Sequence, residues 1–172
     1  MKTHGPSAQR PAANAVEPHE ACIALNELLE LARAAERRCV ASSGRALSPV
    51  LKAELALRGA EHAGDAERLH AALVQLRCTP ATGDTDAALN DPLWAEPPLS
   101  EPDDAALLRG CIAEEVENAA RCEAALRVPG LTDAARKTIE LCVQAARRRE
   151  ESLRRVMDGR VDTADSGSAG RR

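Results

Sequence analysis

Aromatic side chains are almost missing from this chain: it has no phenylalanine, no tyrosine and a single tryptophan, Trp94. β-Sandwiches and barrels fill their interiors with aromatic and β-branched residues, so the composition argues against an all-β architecture. It argues equally against a single-stranded nucleic-acid platform, which stacks bases on aromatic rings. No apolar run approaches the ~20 residues that span a bilayer. The segment Met1 to Glu17 lacks the apolar core of a signal peptide. No C-x-x-C pair occurs, which removes zinc knuckles and thioredoxin-type motifs. No Ser/His/Asp or Cys/His nucleophile arrangement and no glycine-rich phosphate loop is visible. All four histidines, His4, His19, His62 and His70, precede residue 71. The formal net charge of −4 gives no global attraction to nucleic acid or anionic lipid. The expectations are therefore no nucleic-acid partner, no membrane and a cytoplasmic location. In the cytosol the six cysteines would be reduced thiols, with Cys22, Cys39, Cys111, Cys122 and Cys142 acting as small packing residues and Cys78 as the reactive candidate.

What is present is helical. Alanine, leucine, arginine and glutamate dominate the 172 residues. Four stretches carry apolar residues at alternating spacings of three and four. The first runs from about Pro18 to Ser43, with Gly44 as its stop. The second is opened by Ser48 as N-cap and Pro49 at the first helical position, and continues to about Arg77. The third begins near Asp103 and Asp104 and ends before Pro129 and Gly130. The fourth runs from Thr132 or Asp133 to about Asp158, with Gly159 as its stop. Residues 1–18 read as a disordered leader and residues 159–172 as a disordered tail. Residues 78–102, rich in proline, read as a connector, with a short helical turn near Ala87 to Trp94 and Trp94 as an apolar plug. Residues 19–158 then form one all-α domain: an antiparallel four-helix bundle of two helical hairpins joined by the long proline-rich connector.

Each apolar seam is interrupted by an acid. Glu36 breaks the seam Cys22, Leu25, Leu29, Ala32, Cys39. Glu61 stands beside His62 in the seam from Leu55 to Leu76. Glu115 lies between Cys111 and Cys122, and Glu150 between Ala146 and Leu153. A buried lone carboxylate costs several kcal/mol unless it is paired, protonated or bound to metal. The helical rise brings Glu36, Glu61, His62 and Glu115 to similar depths, with Glu150 about one turn further along. Two neutralisers suit such a layer. Iron or manganese would be held by carboxylates and imidazole. Alternatively, one of Arg147, Arg148 and Arg149 would pair with the acids, making Glu36, Glu61, His62, Glu115 and Glu150 a vestigial site neutralised by Arg148. The lack of histidine in the fourth helix favours arginine and no cofactor.

The order of these features resembles a bacterial ferritin-like four-helix-bundle family of unknown function. The stretch Ala24-Leu25-Asn26-Glu27-Leu28-Leu29-Glu30 resembles that family's opening. Leu51-Lys52-Ala53-Glu54 and Arg58-Gly59-Ala60-Glu61 are similar to its second helix, Trp94 to its connector tryptophan, and Glu115 to its third-helix acid. The resemblance covers about residues 20–158. It implies a ferritin-like fold and inward glutamates, while the family's aromatic residues are missing here. The function expected is that of a non-catalytic bundle, open to homo-oligomerisation, with a degenerate metal site. The alternatives are a di-metal carboxylate protein in iron handling or oxidative stress, and an adaptor presenting Arg147 to Arg149, Arg154, Arg155 and Arg160.

Overall fold

A computed structural model of the chain describes residues 19–82 and 103–168, with side chains described as far as residue 159. The leader, the short turn expected near Trp94 and Trp94 itself lie outside the described residues. Four helices make up the fold: α1 (His19–Arg45), α2 (Pro49–Gln75), α3 (Asp104–Ala125) and α4 (Asp133–Ser168). No strand occurs among the described residues.

The helix starts follow local chemistry. Ser48 takes an extended conformation before α2 and its hydroxyl accepts from Leu51 N, with Pro49 where a missing N–H costs nothing. Asp103 caps α3 by accepting from Ala105 N at 2.8 Å. Thr132 does the same for α4, accepting from Ala135 N at 3.2 Å. Two expected stops do not act as such. Gly44 lies inside α1, which continues to Arg45; it is not in the left-handed conformation that a terminal glycine adopts. Gly159 lies inside α4, which extends to Ser168. A glycine in a helix interior costs ~1 kcal/mol but keeps its N–H, so the helix can continue through it. The left-handed positions fall elsewhere. Arg77, with φ 57, closes α2, and Gly130, with φ 81, follows α3.

α1 packs chiefly on α2 and α3 chiefly on α4, while α2 against α4 and α1 against α3 complete the assembly. The interior is divided into two apolar clusters. One gathers Leu25, Leu29, Leu69, Leu73, Ile139 and Val143. The other gathers Leu51, Leu55, Leu108, Ile112 and Leu153. Each fully buried leucine or isoleucine contributes roughly 1.5–3 kcal/mol. Between the clusters lie the buried polar residues His62, Asp65, Glu115, Asn118 and Arg149. Small residues let the backbones approach: a Cβ on Gly59 of α2 would lie 3.5 Å from Cys39 Cβ of α1.

Two latches hold the connections. Asp104, in the first turn of α3, accepts from Leu47 N at 2.7 Å and Ser48 N at 3.0 Å, tying the α1–α2 connection to α3. Cys22 and Cys78 form a disulfide, with a Cα–Cα distance of 5.8 Å and a sequence separation of 56. That corrects the expectation of six reduced thiols: the chain leaving α2 returns to the first turn of α1, a pairing that helical spacing does not reveal. Residues beyond Cys78 stay on α1. Asn26 Nδ2 donates to Thr79 O at 3.1 Å, Asn26 Oδ1 accepts from Ala81 N at 2.6 Å, and Arg33 Nη1 donates to Ala81 O at 2.6 Å.

Candidate functional site

The polar layer is built around Arg149 on α4, which is only 3% exposed. Its Nε donates to both Oε1 and Oε2 of Glu115 on α3, each at 3.0 Å. Its Nη1 donates to Asp65 Oδ2 on α2 at 2.9 Å. His62 Nε2 lies 2.8 Å from Glu115 Oε1. At the edge of the layer Arg68 donates to Asp65 Oδ1 at 2.5 Å. Burial acts to lower the Arg149 pKa, but Glu115 and Asp65 more than offset it, so the guanidinium is held charged above its ordinary value.

Of the residues expected to form one acidic layer, only His62 and Glu115 meet. Glu61 is half-exposed and pairs with Arg58 at 2.7 Å. Glu150 pairs with Arg154 at 2.7 Å along α4. Glu36 is half-buried on the wall of an outer groove with Arg33, Ala63, Ala66, Glu67 and His70. The neutralising arginine is Arg149; Arg148 is exposed. The reason lies in charge. Glu115 and Asp65 already place two carboxylates in this layer, so turning Glu150 into it would add a third, whereas Arg149 balances them.

Three participants escaped the sequence reading. Asp65 is three residues beyond His62 on the same stripe, a signal that was present. Asn118 follows Glu115 by one turn and is buried with its Oδ1 unpartnered. Glu114 is buried toward α1, where Arg38 Nε donates to its Oε1 at 2.7 Å. Among the described residues, no group of three or more His, Cys, Asp and Glu side chains is set to hold a metal ion.

A cavity of about 20 Å³ touches His62, Asp65, Asn118 and Arg149. That is near the room one water needs and far below the ~300 Å³ of a small-molecule pocket. Larger hollows of about 560 Å³ and 430 Å³ lie outside, between α1 and α3 and between α1 and α2. The four free cysteines, Cys39, Cys111, Cys122 and Cys142, are buried. Burial raises each of their pKa values, those of Cys111 and Cys122 to about 12, so they are poor nucleophiles.

No protein-family model matches the chain, and no curated protein matches it significantly. Among the described residues, no helix is long and apolar enough to cross a membrane.

Proposed function

We propose that this chain is a ferritin-like, antiparallel four-helix bundle whose interior is closed by an arginine where a metal site would otherwise stand, and that it acts by binding or assembly, not by catalysis. The observation that carries this reading is the placement of Arg149, whose guanidinium occupies both oxygens of Glu115 and one of Asp65. Those oxygens are the donors that a carboxylate metal site uses. The shared apolar cluster supports the antiparallel arrangement, since it joins residues 24–32 of α1 with 66–73 of α2, and residues 122–125 of α3 with 135–143 of α4. Exposed Val40, Leu47 and Val50 near the α1–α2 connection support a binding role, since they offer apolar surface for a partner or a second copy. The disulfide supports a setting in which thiol pairs become oxidised, in place of the six reduced thiols expected for the cytosol.

The test is metal analysis of untagged protein after anaerobic incubation with ferrous and manganous salts and desalting. The expected result is no stoichiometric metal and a melting temperature unaffected by chelator. Two irons or two manganese ions per chain, lost in Glu115→Gln, would replace this reading with that of a di-metal carboxylate protein.

A further inference from the structure

The six cysteines fall into two chemical populations. Cys39, Cys111, Cys122 and Cys142 are buried thiols. Burial pushes all four toward the protonated form, and the charges of Glu114, Glu115 and Asp65 add to this. Near neutral pH almost none of their thiolate exists, so they neither attack a disulfide nor react with small electrophiles. Cys22 and Cys78 are half-buried and are joined to each other.

The backbone around that bond is held by hydrogen bonds as well. Cys78 N donates to Leu73 O at 2.9 Å and Arg77 N to Val74 O at 3.0 Å, the paired hydrogen bonds of a Schellman helix end. Asn26 and Arg33 hold Thr79 and Ala81 against α1 through three further hydrogen bonds. The Cα–Cα distance of 5.8 Å lies within the span that a disulfide bridges without backbone movement. Opening the bond therefore leaves two thiols side by side, within reach of each other and with no competing reactive thiol. Those are the requirements of a reversible exchange site.

We propose that Cys22–Cys78 is a thiol–disulfide exchange site whose co-substrate is a low-molecular-weight thiol of the glutathione class. The thiolate of the small molecule attacks one of the two sulfurs. The protein S–S bond breaks as a mixed disulfide forms, and the other cysteine leaves as thiolate and takes up a proton. A second small thiol attacks the mixed disulfide, releasing the small-molecule disulfide and the second protein thiol. The protein bond gains two electrons and two protons while two small thiols are oxidised to one disulfide; the reverse sequence closes the bridge. The bonded state fixes the exit of α2 to the start of α1. The dithiol state leaves that exit to the three hydrogen bonds from Asn26 and Arg33 and to the left-handed turn at Arg77.

The test uses the full chain. Protein equilibrated with millimolar reduced glutathione is quenched with iodoacetamide under native conditions and mapped by peptide mass. Labelling is expected to rise from none to full occupancy at Cys22 and Cys78 alone, and to be reversed by glutathione disulfide. The other four cysteines should be modified only after denaturation. Cys78→Ser should acquire one glutathione on Cys22 from glutathione disulfide, and Cys22→Ser/Cys78→Ser should take no label while folded. If those variants fail to fold, the mapping of the unmutated chain decides. An unlabelled native protein would show an inert staple and overturn the proposal. So would labelling spread evenly over all six cysteines, or six free thiols in protein isolated under thiol-blocking conditions.

Discussion

A single nitrogen of Arg149, its Nε, donates to both carboxylate oxygens of Glu115 at 3.0 Å, while Nη1 of the same side chain reaches Asp65 at 2.9 Å. One planar group thus joins α4 to α3 and to α2 in the plane between the two apolar clusters. A lysine ammonium carries the same charge but lacks the fixed fork that addresses two carboxylates from different helices at once.

Removing that group should be expensive. Arg149→Met leaves buried Glu115 without its guanidinium and Asp65 with Arg68 alone, and should cost ~3–5 kcal/mol. Urea unfolding followed by circular dichroism measures it. Adding Glu115→Gln and Asp65→Asn to Arg149→Met should recover part of the loss. A single variant within ~1 kcal/mol of the unmutated chain would mean that the two acids are neutralised by something other than Arg149.

The neighbouring acid should behave differently. Glu150 pairs with Arg154 four residues on, at the edge of solvent. Glu150→Gln should cost under ~1 kcal/mol, against several for the loss of charge at Glu115. Equal effects at the two positions would contradict the assignment of Glu115, and not Glu150, to the interior layer.

Arg77 holds a left-handed conformation, φ 57, at the position where helices usually end on glycine. Arg77→Gly should stabilise the chain by about 0.5–1 kcal/mol, because relief of backbone strain exceeds the extra flexibility of the unfolded chain. The melting temperature should rise; a fall would mean that the Arg77 side chain contributes more than its backbone strain costs.

The Cys22–Cys78 bridge closes a large loop, with a sequence separation of 56. Chain-entropy reasoning assigns such a cross-link ~4 kcal/mol of stabilisation. Thermal unfolding with and without reductant should differ accordingly, and the difference should vanish in Cys22→Ser/Cys78→Ser. Unchanged melting in reductant that demonstrably opens the bond would place the stabilisation in the Asn26 and Arg33 hydrogen bonds.

The buried thiols predict loss of stability in alkali. Unfolded cysteines ionise near 9.0, whereas Cys111 and Cys122 hold their protons to about 12 in the folded chain. Between those values the unfolded state binds fewer protons than the folded state. Stability is therefore fully present below pH 9 and falls as pH rises, by up to ~1.4 kcal/mol per pH unit for each such thiol. In a Cys22→Ser/Cys78→Ser background, which prevents disulfide shuffling, denaturation at stepped pH values should show this slope. Adding Cys111→Ala and Cys122→Ala should flatten it.

The limits of the helices were largely legible in the sequence because capping is local. Ser48 with Pro49, Asp103 and Thr132 each announce a start within a few residues. Gly44 and Gly159 misled because a glycine permits a left-handed turn without requiring one. The polar layer was legible only in part. On a stripe that alternates spacings of three and four, both Arg149 and Glu150 follow Ala146 acceptably. The choice is made by Glu115 and Asp65 on other helices, a distant influence that periodicity does not carry. Asp65 could have been found three residues past His62. Cys78 could not have been matched to Cys22 in this way, since nothing in the α1 pattern records where the chain returns after α2.

The carboxylate of Asp104 gives the long connection a fixed far terminus on Leu47 and Ser48, just as Cys78 and Asn26 fix its near one on α1. Two helix pairs, α1 with α2 and α3 with α4, are thus tied at described residues on both sides of the stretch that joins them, as well as through the packing of their faces.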